Sequence, residues 1–279
     1  QLAKIGRSPD ARAMLRGYGP ACDGSVVEAK GDNRIPDTAT WIDLEEPTKE
    51  EEALVERCVG DNIPTREDLA EIEPSSRLYQ HDGVVYMTMS TLVGVEDGRP
   101  TSTPIGFVLA KDRLVTIRYA TPKPIRAFAQ HARRDPDLVA DALAALHGLL
   151  DAIIDRLADE LEGVGMDIER VSEQIFRRDI KPGRRIPTDR LQALLTRIGR
   201  TQGLLAQIRE TAVSGNRLIA FLSATQPIRQ SPDYRDRVQS LAADVNSLVD
   251  HSGFLAGNLT FLLEASLGLI NVEQNAIIK

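Results

Sequence analysis

The sequence has little of what marks an enzyme, a secreted protein or a nucleic-acid binder. It carries two cysteines in 279 residues, Cys22 and Cys58, too far apart for a paired zinc motif and too few for a disulfide framework. A reducing compartment fits. There is no surplus of basic residues: Lys+Arg number 34 against 41 Asp+Glu, a net charge of -7, which argues against nucleic acid as a partner. Neither GxxxxGK[ST] nor GxGxxG occurs, so no phosphate-cradling loop is visible, and HExxH and GxSxG are absent too. The histidines, His81, His131, His147 and His251, are scattered. No serine or cysteine nucleophile has visible partners, so an enzyme has little to stand on. Aromatics make up only 4%, which favours aliphatic, helix-rich packing. No uninterrupted apolar run reaches the roughly 18 residues of a membrane span. The most apolar stretch, Phe261 to Ile278, is broken by Glu264, Asn271, Glu273, Gln274 and Asn275. The polypeptide is therefore expected to be soluble, with no signal peptide. Gln1-Leu2-Ala3-Lys4 is not a natural start, so a fragment is expected.

What is present is ordinary globular composition, 42% hydrophobic and 27% charged, which excludes intrinsic disorder. Eleven of the 15 prolines lie at or before Pro136. The others, Pro182, Pro187, Pro227 and Pro232, punctuate long helical patterns. Two regions follow, 1–136 and 137–279.

The first region reads as mixed α/β. Trp41 to Leu44 is a short strand. Thr48 caps a helix whose first turn holds Glu50, Glu51 and Glu52 and whose end is marked by Gly60. Thr65 caps a short helix expected to run through Ile72. Leu78–Gln80 and Val84–Met89 are strands around His81-Asp82-Gly83. Pro104–Ala110 and Leu114–Tyr119 form a hairpin around Lys111-Asp112. A helix starts near Lys123. The expected fold class is α+β: an N-terminal α/β/α sandwich with a mixed sheet, followed by a long antiparallel helical hairpin and a long stalk helix.

The second region supplies those helices. From about Leu138 to Arg177, apolar residues such as Leu146, Leu150, Ile153, Leu157 and Leu161 recur every three or four positions. A second helix, capped by Thr188, runs to about Leu222, so the hairpin covers about 138–224. From 233 to 279 there is no proline. One stripe holds Val238, Leu241, Val245, Leu248, Ser252, Leu255, Leu259, Leu262, Ser266 and Leu269, a heptad-like pattern weakened by its two serines. At 1.5 Å per residue this is a rod of about 70 Å. Helices this long without internal caps are coiled coils, stalks or lead-ins to a membrane. Ile277-Ile278-Lys279 carries no cap, and the helix is expected to continue.

Acidic clusters are the remaining chemical resource. Glu67, Asp68, Glu71 and Glu73 lie within seven residues. On a helix Glu67 and Glu71 would share a face, where like charges repel. Mg2+, which takes carboxylates and retained waters, would relieve that; the pattern fits a solvated helix face as well. Asp233, Asp236, Asp244 and Asp250 mark the polar side of the long helix. The basic run Arg177 to Arg185 suits either anionic headgroups or plain solvation.

The segment Gly268-Leu269-Ile270-Asn271-Val272-Glu273-Gln274-Asn275-Ala276-Ile277-Ile278-Lys279 resembles the lead-in to the first transmembrane helix of CorA-type magnesium/cobalt transporters. Trp41-Ile42-Asp43-Leu44-Glu45-Glu46-Pro47 and Thr65-Arg66-Glu67-Asp68-Leu69-Ala70-Glu71-Ile72-Glu73 resemble the same family, in the same order. The resemblance implies a homopentameric Mg2+ channel, with Co2+ as a further ion. It sits in the inner (plasma) membrane, with this chain on the cytoplasmic side and truncated before the membrane spans and the Gly-Met-Asn motif. It also implies a regulatory Mg2+ site between subunits. Glu71 matches the sandwich-side carboxylate, with Glu67 and Asp68 beside it. On the stalk side the match falls near Gln239 or Ser240, neither acidic, and Asp236 and Asp244 are the candidates about one turn away. Asn275 and Ile278 match positions lining the cytoplasmic pore, where a polar ring passes hydrated cations and an apolar ring can gate by dewetting.

Two alternatives remain. A ZntB-like zinc transporter shares the architecture, although the Glu-Gln-Asn lead-in resembles the magnesium branch more and no His/Cys cluster favours zinc. A coiled-coil scaffold would account for the rod and the missing catalytic motifs, but not for the uncapped end.

Overall fold

The computed structural model describes residues 14–29, 33–176 and 188–278. The basic turn of the sequence reading, 178–187, and the first four residues lie outside them. In chain order the elements are β1 (Met14–Gly19), β2 (Cys22–Val26), β3 (Trp41–Glu45), α1 (Lys49–Val59), α2 (Arg66–Ala70), α3 (Pro74–Arg77), β4 (Leu78–His81), β5 (Val84–Val93), β6 (Thr101–Ala110), β7 (Arg113–Arg118) and α4 (Lys123–Ala132). A 3-10 turn over Pro136–Val139 then leads to α5 (Ala142–Phe176), α6 (Thr188–Ser223), α7 (Gln226–Arg229) and α8 (Pro232–Ile278).

The strands form one seven-stranded sheet in the order β2-β1-β3-β7-β6-β5-β4. β3 and β7 run parallel and the other described pairs antiparallel, so the sheet is mixed, as expected. Alternation along the strands sends side chains to two cores. Ile42, Leu44, Val108 and Val115 pack with Leu54 and Val55 of α1 and Leu69 of α2. Trp41, Met87, Phe107 and Leu114 face the other way, toward Ile125 and Phe128 of α4 and the long helices. That second core runs without a break from the sheet into α5, α6 and α8. Trp41 anchors it, stacked on Tyr18 with centroids 4.3 Å apart and tilted against Phe128 at 5.4 Å.

The caps of α1 are those the sequence announces. Thr48 and Glu51 form a reciprocal capping box, and Gly60 ends the helix at φ 82°, a left-handed conformation glycine adopts at little cost. Two readings need correction. The β1–β2 hairpin was not anticipated: it is broken by glycines, and Leu15 and Tyr18 supply most of its buried apolar surface. It is a strand pair because β3 offers an edge to pair with, not because its residues insist on it. α2 also stops at Ala70 rather than Ile72. Its only buried residue is Leu69, which fits because a Cβ at Gly106 of β6 would stand 2.8 Å from Leu69 Cδ2. Ile72 stays 88% exposed, and Glu71 takes an extended backbone (φ -62°, ψ 144°). Glu67 and Glu71 therefore do not share a helical face.

α5 and α6 are the hairpin and α8 is the rod, 47 residues long. Tyr234 near the start of α8 donates to both carboxylate oxygens of Asp141, just before α5, which pins the two helix starts together. The two serines that weaken the stripe on α8 are fully buried. Ser252 and Ser266 donate their hydroxyls to the carbonyls of Val249 and Leu262, so they enter the core with their polar atoms satisfied. Leu255, Leu259 and Leu262 complete the buried side, each contributing about 1.5–3 kcal/mol.

Candidate functional site

The acidic segment of the sequence reading forms the α2–α3 corner, beside the edge strand β4. Its carboxylates have different roles. Asp68 accepts from the backbone N–H and the hydroxyl of Thr65, both at 2.8 Å, while Thr65 Oγ1 accepts from the Asp68 N–H. That box closes the N-terminus of α2, so Asp68 is occupied as a cap. Glu67 is exposed on the first turn. Glu71 follows the last turn, held through its backbone N–H to the Asp68 carbonyl at 3.2 Å, with its side chain in solvent. Burial raises the Tyr79 hydroxyl above its ordinary pKa, and Asp68, Asp61 and Glu71 raise it further, which sets these carboxylates around the same stretch of β4.

The stalk-side candidates separate on their surroundings. Asp236 lies 3.7 Å from the guanidinium of Arg235, and Arg237, on its other side, spreads over the Tyr234 ring. Asp236 is thus flanked by positive charge. Asp244, two turns further on, faces α5. Burial raises the Asp155 carboxyl above its ordinary range, and Asp151, Asp159 and Asp244 add to the shift. Asp155 therefore sits in the field of Asp151 and Asp159 on its own helix and of Asp244 on α8, whereas Asp236 has a guanidinium beside it. Among the described residues no three His, Cys, Asp or Glu side chains converge to hold a metal ion, so the five predicted carboxylates do not form one ligand set within a single chain. Asn275 and Ile278 fall on the last turns of α8, and their side chains lie outside the described residues.

α8 also carries large apolar side chains that its own chain leaves exposed. Phe254 and Phe261, two turns apart on one edge of the buried stripe, are 63% and 58% exposed, and Leu263 and Leu267 are exposed on its other edge. Phe261 stacks on Phe176 at 5.9 Å, and both rings remain open to solvent. Sequence inspection found no uninterrupted apolar run of membrane length. By average hydropathy the reading changes: Pro232–Asn271 contains an 18-residue window of mean hydropathy 1.5, of which 22% is buried. By length and composition this helix can cross a membrane. It is not a core helix enclosed by its own chain.

A buried polar network escaped the sequence reading. Arg118 of β7 reaches Asp43 through Nε at 3.1 Å and Nη2 at 2.8 Å, and Glu45 at 2.9 Å. Thr116 donates to Asp43 at 2.7 Å and accepts from the Trp41 indole at 3.0 Å. Burial works against the Glu45 charge, yet hydrogen bonds from Arg118 and Thr121 hold its carboxyl below the usual range. Burial likewise opposes the Arg118 charge, and Asp43 and Glu45 more than restore it. The available signal was the pairing of β3 with β7, which sets Glu45 opposite Arg118 and Asp43 opposite Thr116. Strand order is not visible in sequence. The network ties together the parallel junction of the sandwich, with Asp43 and Arg118 buried and Glu45 at its edge.

A family profile described as CorA-like Mg2+ transporter protein matches residues 36–279. The magnesium transport protein CorA of Salmonella typhimurium is 28% identical over 242 residues, covering 86% of this chain and 73% of that protein. The complete CorA magnesium transporter of Methanocaldococcus jannaschii superposes with a TM-score of 0.72 at 14% identity, over 95% of this chain and 80% of the other. The ZntB cytoplasmic domain of Vibrio parahaemolyticus superposes with a TM-score of 0.66 at 10% identity, over 96% and 99%. At these identities the structural likenesses establish the fold.

Proposed function

The chain belongs to the CorA-like Mg2+ transporter family, and from that premise we propose that it is the cytoplasmic regulatory part of a Mg2+ channel of the inner (plasma) membrane, with Co2+ as a second cargo. The observation that carries the proposal is α8. One side of this rod is sealed by its own hairpin, and large apolar side chains stay exposed along both edges of that sealed side. Copies of the chain arranged around an axis, five in the family's pattern, would cover those side chains and bring the α8 ends together toward the membrane. Asn275 and Ile278 would then line the cytoplasmic mouth of the pore.

The same arrangement gives the carboxylates a task. Glu71 on the sandwich of one subunit faces Asp244 on the stalk of its neighbour, with Asp155 behind Asp244; Glu67 and Asp236 stand further out. Mg2+ that retains part of its water shell bridges the two sides. Bound cation offsets the repulsion and holds the closed arrangement; loss of cation releases it. Carboxylates are hard donors, which favours Mg2+ over zinc.

The test is flux through the membrane-embedded protein carrying this chain, reconstituted in vesicles with a Mg2+ indicator. Mg2+ influx is expected, and Mg2+ on the side of this domain should suppress it. Glu71→Ala should relieve the suppression more than Glu73→Ala. Equal effects would remove Glu71 from the role, and flux of Zn2+ without Mg2+ would overturn the magnesium reading in favour of zinc.

A further inference from the structure

β4 is short. It pairs with β5 only from Val84 to Met87, and beyond that point β5 is crossed by α6. A cleft of about 490 Å³ opens there, between α3, the uncovered part of β5 and the outer face of α6. Three arginines line it: Arg77 at the end of α3, and Arg209 and Arg217 two turns apart on α6. Glu210 is the one carboxylate in the lining. None of the three guanidinium groups is in an ion pair among the described residues. Arg77 Nε is shut off from solvent and has no hydrogen-bond acceptor among them. Burial disfavours the Arg77 cation; Glu210 partly offsets this, and Arg217 adds a smaller repulsion.

Excess positive charge with an unmet buried donor is unfavourable until an anion arrives. We propose that this cleft binds a soluble oxyanion, the phosphate group of a small molecule. Guanidinium forks match phosphate oxygens in pairs, which single ammonium groups do not. The Thr88, Ser90 and Ser214 hydroxyls border the same space. Ser214 Oγ accepts from the Ser90 N–H at 3.0 Å, which leaves its own hydrogen to donate. Ile72 and Leu78 give the cleft an apolar wall, and its volume falls within the usual range for small-ligand pockets, so a phosphate carrying an organic group can be accommodated. The cleft borders the corner that carries Glu71, since Ile72 of its lining follows Glu71 directly, but its assignment does not depend on the transport reading.

The test is titration calorimetry on the 279-residue chain with inorganic phosphate, pyrophosphate and ATP as probes, without added divalent cation and at fixed ionic strength. Saturable binding of at least one probe is expected. The double variant Arg209→Ala, Arg217→Ala should weaken it by about tenfold or more, the scale of one charge-assisted hydrogen bond. Both residues are exposed on α6, so the fold should persist, which circular dichroism checks. Arg77→Lys keeps the charge but removes the buried Nε donor, and should weaken binding too. Binding of ATP alone would assign the apolar wall to its organic part, whereas binding of all three would place recognition in the phosphate. No binding of any probe, or binding unchanged in the double variant, would overturn the proposal.

Discussion

The sandwich and the stalk helix solve the problem of burial differently. Both faces of the sheet are covered by the chain's own helices, and even the charges inside, Asp43 and Arg118, have each other. α8 is covered on one side only. It buries Leu255, Leu259 and Leu262 against its hairpin and leaves Phe254, Phe261, Leu263 and Leu267 outside. Under the proposed assembly these exposed side chains are the surface that a neighbouring copy would cover. The sandwich covers its own apolar surface; α8 leaves part of its apolar surface open.

The largest effect should come from breaking the sandwich at its buried pair. Arg118→Leu leaves Asp43 charged and without its guanidinium, and should cost about 3–5 kcal/mol, read as the loss in urea unfolding free energy. A loss within 1 kcal/mol would mean that the network is not what fixes the β3–β7 junction.

A middle-sized effect is expected at the corner that presents Glu71. Thr65→Ala removes the cap of α2 and should cost about 1 kcal/mol by the same measurement. Because α2 has five residues and one buried anchor, the loss should be local, seen as faster amide exchange over 65–71 while the sheet stays protected.

A smaller effect, and one of opposite sign, belongs to the acidic face shared by α5 and α8. The folded pKa of Asp155 lies above its unfolded value, so its ionised form costs stability. That cost is full above the folded pKa, shrinks as pH falls through it, and vanishes below the unfolded value, where the group is neutral in both states. Asp155→Asn should therefore raise the melting temperature at pH 7, and the gain should disappear in acid. A variant less stable than its parent at pH 7 would contradict the repulsion among Asp151, Asp155, Asp159 and Asp244.

The smallest change in stability, and the sharpest contrast with Arg118→Leu, is expected from Phe254→Ser with Phe261→Ser. Both rings are mostly exposed, so unfolding free energy should move by about 0.5 kcal/mol or less per site. Self-association of the membrane-embedded protein should fall clearly in sedimentation. Large destabilisation without loss of association would place these rings in the chain's own core.

The sandwich and the stalk also differed in how readable they were. Periodicity and turn chemistry located β3 to β7, the caps of α1 and the extent of α8, because those signals are local. The β1–β2 hairpin was hidden because its pairing depends on β3, more than twenty residues away along the chain in places. α2 was drawn too long because nothing in Glu71-Ile72 says that Ile72 finds no core. At the candidate site, the acidic positions were legible but their neighbours were not. Arg235 beside Asp236 is visible in sequence, yet its weight is clear only once Asp244 is found opposite Asp155, on a helix some ninety residues earlier. The cap role of Asp68 was readable from Thr65 three residues before it.

The central claim is that Glu71 of one subunit meets Asp244 of the next. Cysteine cross-linking in the membrane-embedded protein tests it most directly, with Cys22 and Cys58 replaced by serine and Glu71→Cys combined with Asp244→Cys. Mild oxidation should give a ladder of linked subunits running up to the pentamer, absent from either single variant. Linkage confined to single subunits, or none at all, would contradict the account.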